Sequence, residues 1–380
     1  MSDDAPEGAS GPPWPTWPVG FVGTPEDRSA ALVLSALQGL TPRRLLERAQ
    51  QHRTASAVLA DIRRGSAGSE RDRAFARTLD PASIGAAADA CAARIVTWDD
   101  PSYPSQLRHI HDPPVLLYVI GADLPDVGSA VAVVGARSCT EIGREVAFGI
   151  GRALGVARAT VISGAARGID AAAHLGALDA RGGTVAVMGC GVDVPYPRGS
   201  RELLERIRDS GTIVSEHAPG TPPFQRNFPA RNRIVAGLSA ATVVVEGATG
   251  SGSMITAEHA MEFGRDVYAV PGPVTSALSS VPLRLIRDGA TMIRGPADLI
   301  EDLGLAPEAG AGPDLAELSA DERRVLDRLA GPTLPDRVAA ALGASVPEAV
   351  AILMRLELRG LVRNVGGRFE STLRGSAASG

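Results

Sequence analysis

Seven short apolar runs recur between residues 131 and 293, and they limit the possible folds more than any other feature of the chain. They are VAVVG (131–135), ATVISG (159–164), TVAVMG (184–189), TIVSE (212–216), ATVVVEG (241–247), DVYAVPG (266–272) and a weaker ATMI (290–293). Each is too short for a helix, and most are rich in valine and isoleucine, as strands are. Their starts lie roughly 25 to 30 residues apart, the length of a strand–helix–strand unit. Alanine-rich stretches such as DAAAHLGALDA and ITAEHAMEFG fill most of the gaps and read as helices. Strands apolar on both faces, alternating with helices, predict an α/β fold: a parallel sheet covered by helices on both sides. The preceding segment, RIVTWDDPSYPSQLRHIHDPPVLLYVIG, is expected to add a strand or two.

The flanks read differently. Residues 1–18 are rich in proline, glycine and acid and are expected to form a disordered tail. Residues 19–93 carry AALVLSALQGL, PRRLLERAQQ and TASAVLADIRRG, which predict a small helical bundle. A DNA-binding helix-hairpin-helix usually has a Gly-x-Gly turn. Gly39-Leu40-Thr41 lacks the second glycine, which points to a structural or partner-binding bundle. The α/β domain is expected over 94–304, followed by a Pro/Gly/Ala linker over 305–314. Residues 315–372 read as three helices, a two-glycine turn and a strand, the pattern of a winged helix, with a tail at 373–380. In a DNA-reading version the third helix would enter the groove. Here that helix opens on Pro347 and Glu348 and is largely apolar, and charges over 315–370 balance at eight against eight. Contact with protein, or docking within the chain, is the expectation for this domain ahead of DNA reading.

At 380 residues the chain is long enough for two or three domains, and with only 4 % aromatics its core must be filled by Ala, Val, Leu and Ile. Cys91, Cys139 and Cys190 are far apart and form no CxxC pattern, so neither a disulfide framework nor structural zinc is expected. The six histidines show no metal-ligand spacing, and His174, inside an alanine-rich stretch, reads as structural. No apolar stretch is long enough to span a bilayer and no signal-peptide pattern is present, so a cytoplasmic protein without a membrane partner is expected. The net charge of −5 at first argues against a nucleic-acid partner. Yet residues 130–303 hold 17 of the 38 basic residues and 17 of the 43 acidic ones, so the surplus acid lies outside the α/β segment. All the basic residues are arginine. Any grip on phosphate must therefore use guanidinium groups, backbone N–H groups or hydroxyls.

Open parallel sheets bind ligands beyond the carboxyl ends of their strands. Four such ends carry similar groups here. The first strand leads into Gly135-Ala136-Arg137-Ser138, and the second into Ser163-Gly164-Ala165-Ala166-Arg167-Gly168-Ile169-Asp170. The third leads into Gly189-Cys190-Gly191, then Asp193 and Tyr196-Pro197-Arg198. The fifth leads into Glu246, then Gly250-Ser251-Gly252-Ser253 and Thr256. Glycine lets a backbone approach a ligand, a helix start adds partial positive charge, and arginine adds a fork that fits phosphate. One such turn could serve geometry alone, whereas several in one sheet favour a phosphate-lined crevice. The loop after the fourth strand, Phe224-Gln225-Arg226-Asn227-Phe228-Pro229-Ala230-Arg231-Asn232-Arg233, places three arginines around two of only seven phenylalanines. Aromatic faces beside cations suit unpaired bases and their phosphates. The neighbouring Pro219, Pro222, Pro223 and Pro229 argue for an irregular surface loop rather than a buried segment.

No GxxxxGK[ST] motif is present and no GxGxxG follows any strand, so neither P-loop chemistry nor a dinucleotide cofactor is expected. Cys190 has no evident base partner.

In order along the chain, VAVVGAR, VISGAARGIDAAAHLGAL, TVAVMGCGVDVPYPRG, IVSEHAPGTPP, NFPARNRIVAGLS, VVVEGATGSGSMITAEHAMEFGRDVYAVPG and LIRDGA resemble the motifs of the DprA/Smf (DNA-processing protein A) family over about residues 94–304. The resemblance implies an extended Rossmann-like domain flanked by a SAM-like or helix-hairpin-helix-like bundle and a winged helix. It further implies a non-catalytic protein that binds and protects single-stranded DNA, forms homodimers, and loads the RecA recombinase in natural transformation and homologous recombination. The DNA groove implied by the family maps onto Arg137, Arg198, Phe228, Arg231, Asn232 and Arg233. Its glycine-rich turns map onto Ser163, Gly164, Arg167, Gly168, Asp170, Ser251, Gly252, Ser253 and Thr256, and Gly135 opens the first turn. Two departures stand out. Ser280-Val281-Pro282-Leu283 replaces a Gly-x-Asn or Gly-x-His pair, which puts the local helix start in question, and Ala136 replaces a frequent hydroxyl residue.

A second reading is enzymatic. Nucleotide phosphoribohydrolases similar to the LOG proteins share the architecture and carry a PGGxGTxxE block. The corresponding turn here ends in Glu258, which could stand for their carboxylate, but the PGG is absent.

Overall fold

The computed structural model describes residues 14–305 and 318–371, apart from 38, 126, 127, 129, 330, 359 and 360. These residues fall into two compact units that divide between Ala306 and Pro307.

The larger unit is built on a nine-stranded sheet in the order β1-β2-β6-β5-β4-β3-β7-β8-β9. All seven apolar runs form strands: β3 (Ala130–Val134), β4 (Thr160–Ser163), β5 (Thr184–Val187), β6 (Thr212–Ser215), β7 (Ala241–Val244), β8 (Asp266–Ala269) and β9 (Thr291–Met292). They pair in parallel throughout. The preceding segment adds β1 (Arg94–Thr97) and β2 (Leu116–Gly121), both antiparallel to their neighbours, which makes the sheet an extended Rossmann-like one. Along β3, Val131 and Val133 face one core while Ala130, Ala132 and Val134 face the other, the alternation of a strand buried on both sides. Helices α6 (Glu141–Val156), α7 (Ile169–Asp179) and α12 (Pro296–Asp302) cover the first face. α8 (Arg201–Ser210), α9 (Asn227–Gly237), α10 (Gly252–Glu262) and α11 (Ser280–Arg287) contribute to the second. α6 and α7 touch backbone to backbone: a Cβ on Gly151 would lie 2.1 Å from the Ala173 carbonyl oxygen, so only glycine fits.

Before the sheet come five helices, α1 (Pro25–Ala36), α2 (Pro42–His52), α3 (Ala55–Arg64), α4 (Glu70–Thr78) and α5 (Pro81–Ala90). The last two were not expected. α4 reads ERDRAFART, too polar to show a periodic apolar face, yet its capping box of Ser69 and Asp72 defines its start. The bundle's buried side chains continue without a break into the second face of the sheet. Part of the expected disordered tail also needs correcting. Trp17 is buried against Phe21, and its indole N–H donates to the Pro113 carbonyl at 2.9 Å. Burial of this aromatic pair offsets much of the entropy lost in ordering the backbone around it. Residues 1–13, the tail at 373–380 and most of the expected linker lie outside the described residues.

The proline-flanked segment after β6 also departs from the sequence-based expectation. It is not an irregular loop from Asn227 onward but the helix α9, with Asn227, Arg231 and Arg233 buried. Pro229 falls in the first turn, where its missing N–H has no intrahelical partner to lose. α11 likewise accommodates Pro282 in its first turn, and Ser280 fastens its start by donating to the carbonyls of Gly247 and Ala277.

The smaller unit contains α13 (Ala320–Arg328), α14 (Pro335–Leu342), α15 (Val346–Leu358) and the antiparallel pair β10 (Val362–Val365) and β11 (Arg368–Ser371), a winged helix with its own core.

Candidate nucleic-acid interface

β3 and β7 are neighbours in the interior of the sheet, and the helices that follow them, α6 and α10, pack on opposite faces. This is the topological switch point of the sheet, where diverging loops leave a crevice. The crevice holds about 600 Å³ and is walled by the turn after β3, by α9 and by the Gly250–Thr256 turn that opens α10. It brings together Gly135, Arg137, Asp170, Phe228, Arg231, Asn232, Ser251, Gly252, Ser253 and Thr256 from the sequence-based set. A smaller cavity of about 50 Å³ shares Arg137, Tyr196, Phe228 and Arg231 with it and adds Gly164 and Arg167.

The aromatic element of the site is a stack. Phe228 is half-buried in the first turn of α9 and lies flat on Gly189, where a Cβ would come within 2.9 Å of the ring. The Tyr196 ring lies 4.9 Å from it, tilted by 31°, and the Arg137 guanidinium stands 5.8 Å above it. Arg137, Arg167 and Arg198 are exposed, and among the described residues none has a carboxylate within ion-pair distance. Arg198 opens the short 3-10 turn Arg198–Ser200, just outside the residues that line the two cavities.

Beneath the stack, Arg231 forms a charged floor. It is buried, and its guanidinium occupies the space a Gly164 side chain would need: a Cβ there would lie 1.8 Å from Nη1. Its Nε has no hydrogen-bond partner among the described residues. Burial pushes the Arg231 pKa down, and the facing Asp170 partly restores it. Burial also raises the Asp170 carboxyl above the usual range, against the opposing pull of Arg231. Asp170 accepts the N–H groups of Gly164 and Ala166 at 3.2 and 3.3 Å, so it shapes the turn from below. Ser163 and Gly168 lie under the crevice: the Ser163 hydroxyl donates to the Val133 carbonyl at 2.6 Å, and Gly168 takes the positive φ that begins α7. On the opposite wall α10 starts at Gly252 without a side-chain cap, which leaves first-turn N–H groups for a ligand. Asn232 ties α9 to this turn by donating to the Gly252 carbonyl at 3.0 Å, and Thr256 donates to the same carbonyl at 3.2 Å.

Arg233 does not belong to the groove. It is 2 % exposed and spends its donors inside the protein. Nη1 and Nη2 form a fork on Glu216 at 2.8 and 2.7 Å, Nη1 also donates to the Ala230 carbonyl, and Nε donates to the Asp112 carbonyl. Two residues of helix turn Arg233 away from Arg231, so a motif written as one basic block is split between crevice and core. Burial alone would raise the Glu216 carboxyl, but Arg233 outweighs it and holds the group below its ordinary value.

The model of the family described as DNA recombination-mediator protein A matches residues 94–304, more than half of the chain. The chain belongs to the DprA/Smf family. A DprA winged helix domain also matches, over residues 306–368. The chain is 38 % identical over 298 residues to a putative DNA processing protein DprA of Mycobacterium tuberculosis, covering 73 % of this chain and 76 % of the relative. The X-ray structure of DprA from Streptococcus pneumoniae superposes with a TM-score of 0.63 at 34 % identity, over 73 % of this chain and 98 % of that one. The structure of DNA processing protein A from Helicobacter pylori, described for its unique single-stranded DNA binding mode, gives a TM-score of 0.51 at 28 % identity, over 55 % of this chain and 95 % of that one.

Within this DprA/Smf chain, two site features were missed by sequence reasoning. The sequence offers Tyr196 only as a turn residue, and its place before Pro197 and Arg198 is the one signal it carries. Glu246 sits in sequence beside the ligand turns, but it caps α6: its carboxylate accepts the backbone N–H and hydroxyl of Thr140 at 2.9 and 2.6 Å. In dinucleotide-binding Rossmann folds the pyrophosphate sits at that helix start. Here an internal carboxylate already occupies it. Glu258, the residue that could suggest a phosphoribohydrolase, is exposed on α10 and does not line the crevice. His111 and His259, remote in sequence, lie close together, with ring centroids 5.4 Å apart.

Proposed function

We propose that this DprA/Smf chain is a non-catalytic, cytoplasmic protein that binds single-stranded DNA in the switch-point crevice. The observation that carries this reading is the Tyr196–Phe228–Arg137 stack standing over the buried Arg231. Each base of a single strand offers a face to an aromatic platform, while its phosphate meets guanidinium groups and the α10 start. A duplex keeps its bases stacked inside and cannot use the platform. The single-stranded DNA binding described for the Helicobacter pylori relative supports the same assignment. In this reading Arg137, Arg167, Arg198, Phe228, Arg231 and Asn232 meet the strand, and Gly135, Gly164, Ser251, Gly252 and Ser253 shape its bed. Ser163, Gly168, Asp170 and Thr256 support that bed from below. The chain acts as a homodimer that protects incoming strands and passes them to RecA in natural transformation and homologous recombination. Fluorescence anisotropy with matched single- and double-stranded oligonucleotides, without nucleotide or metal, tests the core of the proposal. Tighter binding of the single strand, weakening as salt rises, is expected; equal affinity for the duplex would refute it.

A further inference from the structure

At the end of α10 away from the crevice, three metal-ligating side chains converge from distant parts of the sequence. His111 lies in the connection between β1 and β2, and His259 and Glu262 are three residues apart on α10. The His111 Nε2 is 3.2 Å from Glu262 Oε2, the His259 Nδ1 is 3.6 Å from the same oxygen, and all three donor atoms lie within 4.8 Å of one another. Ligands about 2.0–2.1 Å from a tetrahedral zinc ion stand roughly 3.3 Å apart, so two of these separations already suit a shared ion.

We propose that His111, His259 and Glu262 form a zinc site. The surroundings have the features of a built site rather than a chance surface meeting. The His111 Nδ1 is held by the Asp112 carboxylate, whose Oδ1 in turn lies 3.1 Å from Arg233 Nε. A carboxylate behind a histidine fixes the ring and leaves the opposite nitrogen for a metal, a recurring outer-shell arrangement. The Phe263 ring lies parallel to His259 within 8° at 5.8 Å, and Trp14 meets both His111 and Phe263 edge-on, so both imidazoles are walled by aromatics. Two imidazoles and one carboxylate are a borderline donor set that favours zinc over magnesium or calcium. Glu262 is half exposed, which leaves a fourth position open to water.

The site would act as a staple. It joins the segment before β2 to α10, whose other end lines the crevice, and through Asp112 and Arg233 it reaches α9. Zinc would thus brace the two helices that carry Phe228, Arg231 and Ser253. The test uses the full-length protein, equilibrium dialysis against zinc chloride, and thermal melting with and without zinc. Wild type is expected to hold one more zinc ion per chain than either His259→Ala or Glu262→Gln. It should melt higher with zinc, whereas the variants should not. Loss of a direct ligand should lower affinity by at least the roughly 10–100-fold typical of outer-shell changes. Glu262→Gln preserves shape at a half-exposed position, so its circular dichroism should match wild type. Equal zinc content in all three proteins, or no zinc retained by wild type, would overturn the proposal and leave the cluster as an imidazolium–carboxylate pair.

Discussion

Arg231 and Arg233 stand two positions apart on one helix and have different roles. Arg231 faces the crevice with an unsatisfied Nε, and Arg233 is enclosed with its donors on Glu216, Asp112 and Ala230. Removing one member of a buried ion pair leaves the other charged and desolvated, at a cost of about 3–5 kcal/mol. Arg233→Met should therefore lower unfolding free energy by about that amount in urea melts, with single-strand affinity per folded molecule unchanged. Lost affinity with normal stability would return Arg233 to the groove. The sequence could not separate the two arginines. RNR reads as a uniform basic block until it is known to be helical, and the surrounding prolines suggested a loop. Phe228, by contrast, was legible as an aromatic beside cations, although its support by Gly189 and Tyr196 depends on three distant loops meeting.

At the scale of elements, the packing of α7 on β5 depends on a neutral histidine. The His174 Nδ1 donates to Thr184 Oγ1 at 2.7 Å, because the Thr184 hydroxyl proton is committed to the Val161 carbonyl. Burial, with a smaller contribution from Arg231, pushes the imidazole from 6.5 down to about 3. In the unfolded chain the same group takes a proton below its ordinary value near 6.5. Unfolding therefore binds a proton in acid, and stability falls as pH drops from about 6.5 towards 3. Between pH 7.5 and 5 this single group should remove about 2 kcal/mol of stability. His174→Asn should be free of that loss, so the gap between the two proteins in urea melts should narrow as pH falls; a constant gap would show that His174 does not titrate this way. The strands β3 to β8 were readable because short β-branched runs buried on both faces leave a simple signature, whereas the exposed two-residue β9 left only a weak one. Helices α4 and α5 were not, since ERDRAFART and PASIGAAADA lack a clear apolar stripe and take their order from caps and tertiary contacts.

At the scale of the whole molecule, the two units have separate cores. The buried cluster of the winged helix draws only on residues 318–369, and the clusters of the larger unit lie between residues 17 and 299. A protein ending at Ala306 should therefore fold alone and retain single-strand affinity, since the crevice is complete within it. A large loss on truncation would make the winged helix a DNA reader. The division into an α/β domain and a winged helix was visible in the change of periodicity around residue 305. The continuity of the N-terminal bundle with the sheet core was not, because no local pattern records which helix face meets which strand. The central claim is that a single strand lies across the stack over Arg231. It is tested most directly by measuring single-strand affinity and melting temperature on one variant, Phe228→Ala. The account predicts a loss of about 1–3 kcal/mol in affinity, the contribution of one stacked base, with a nearly native melting temperature for this half-buried ring. Unchanged affinity per folded molecule with a collapsed melting temperature would contradict it and make Phe228 a core residue.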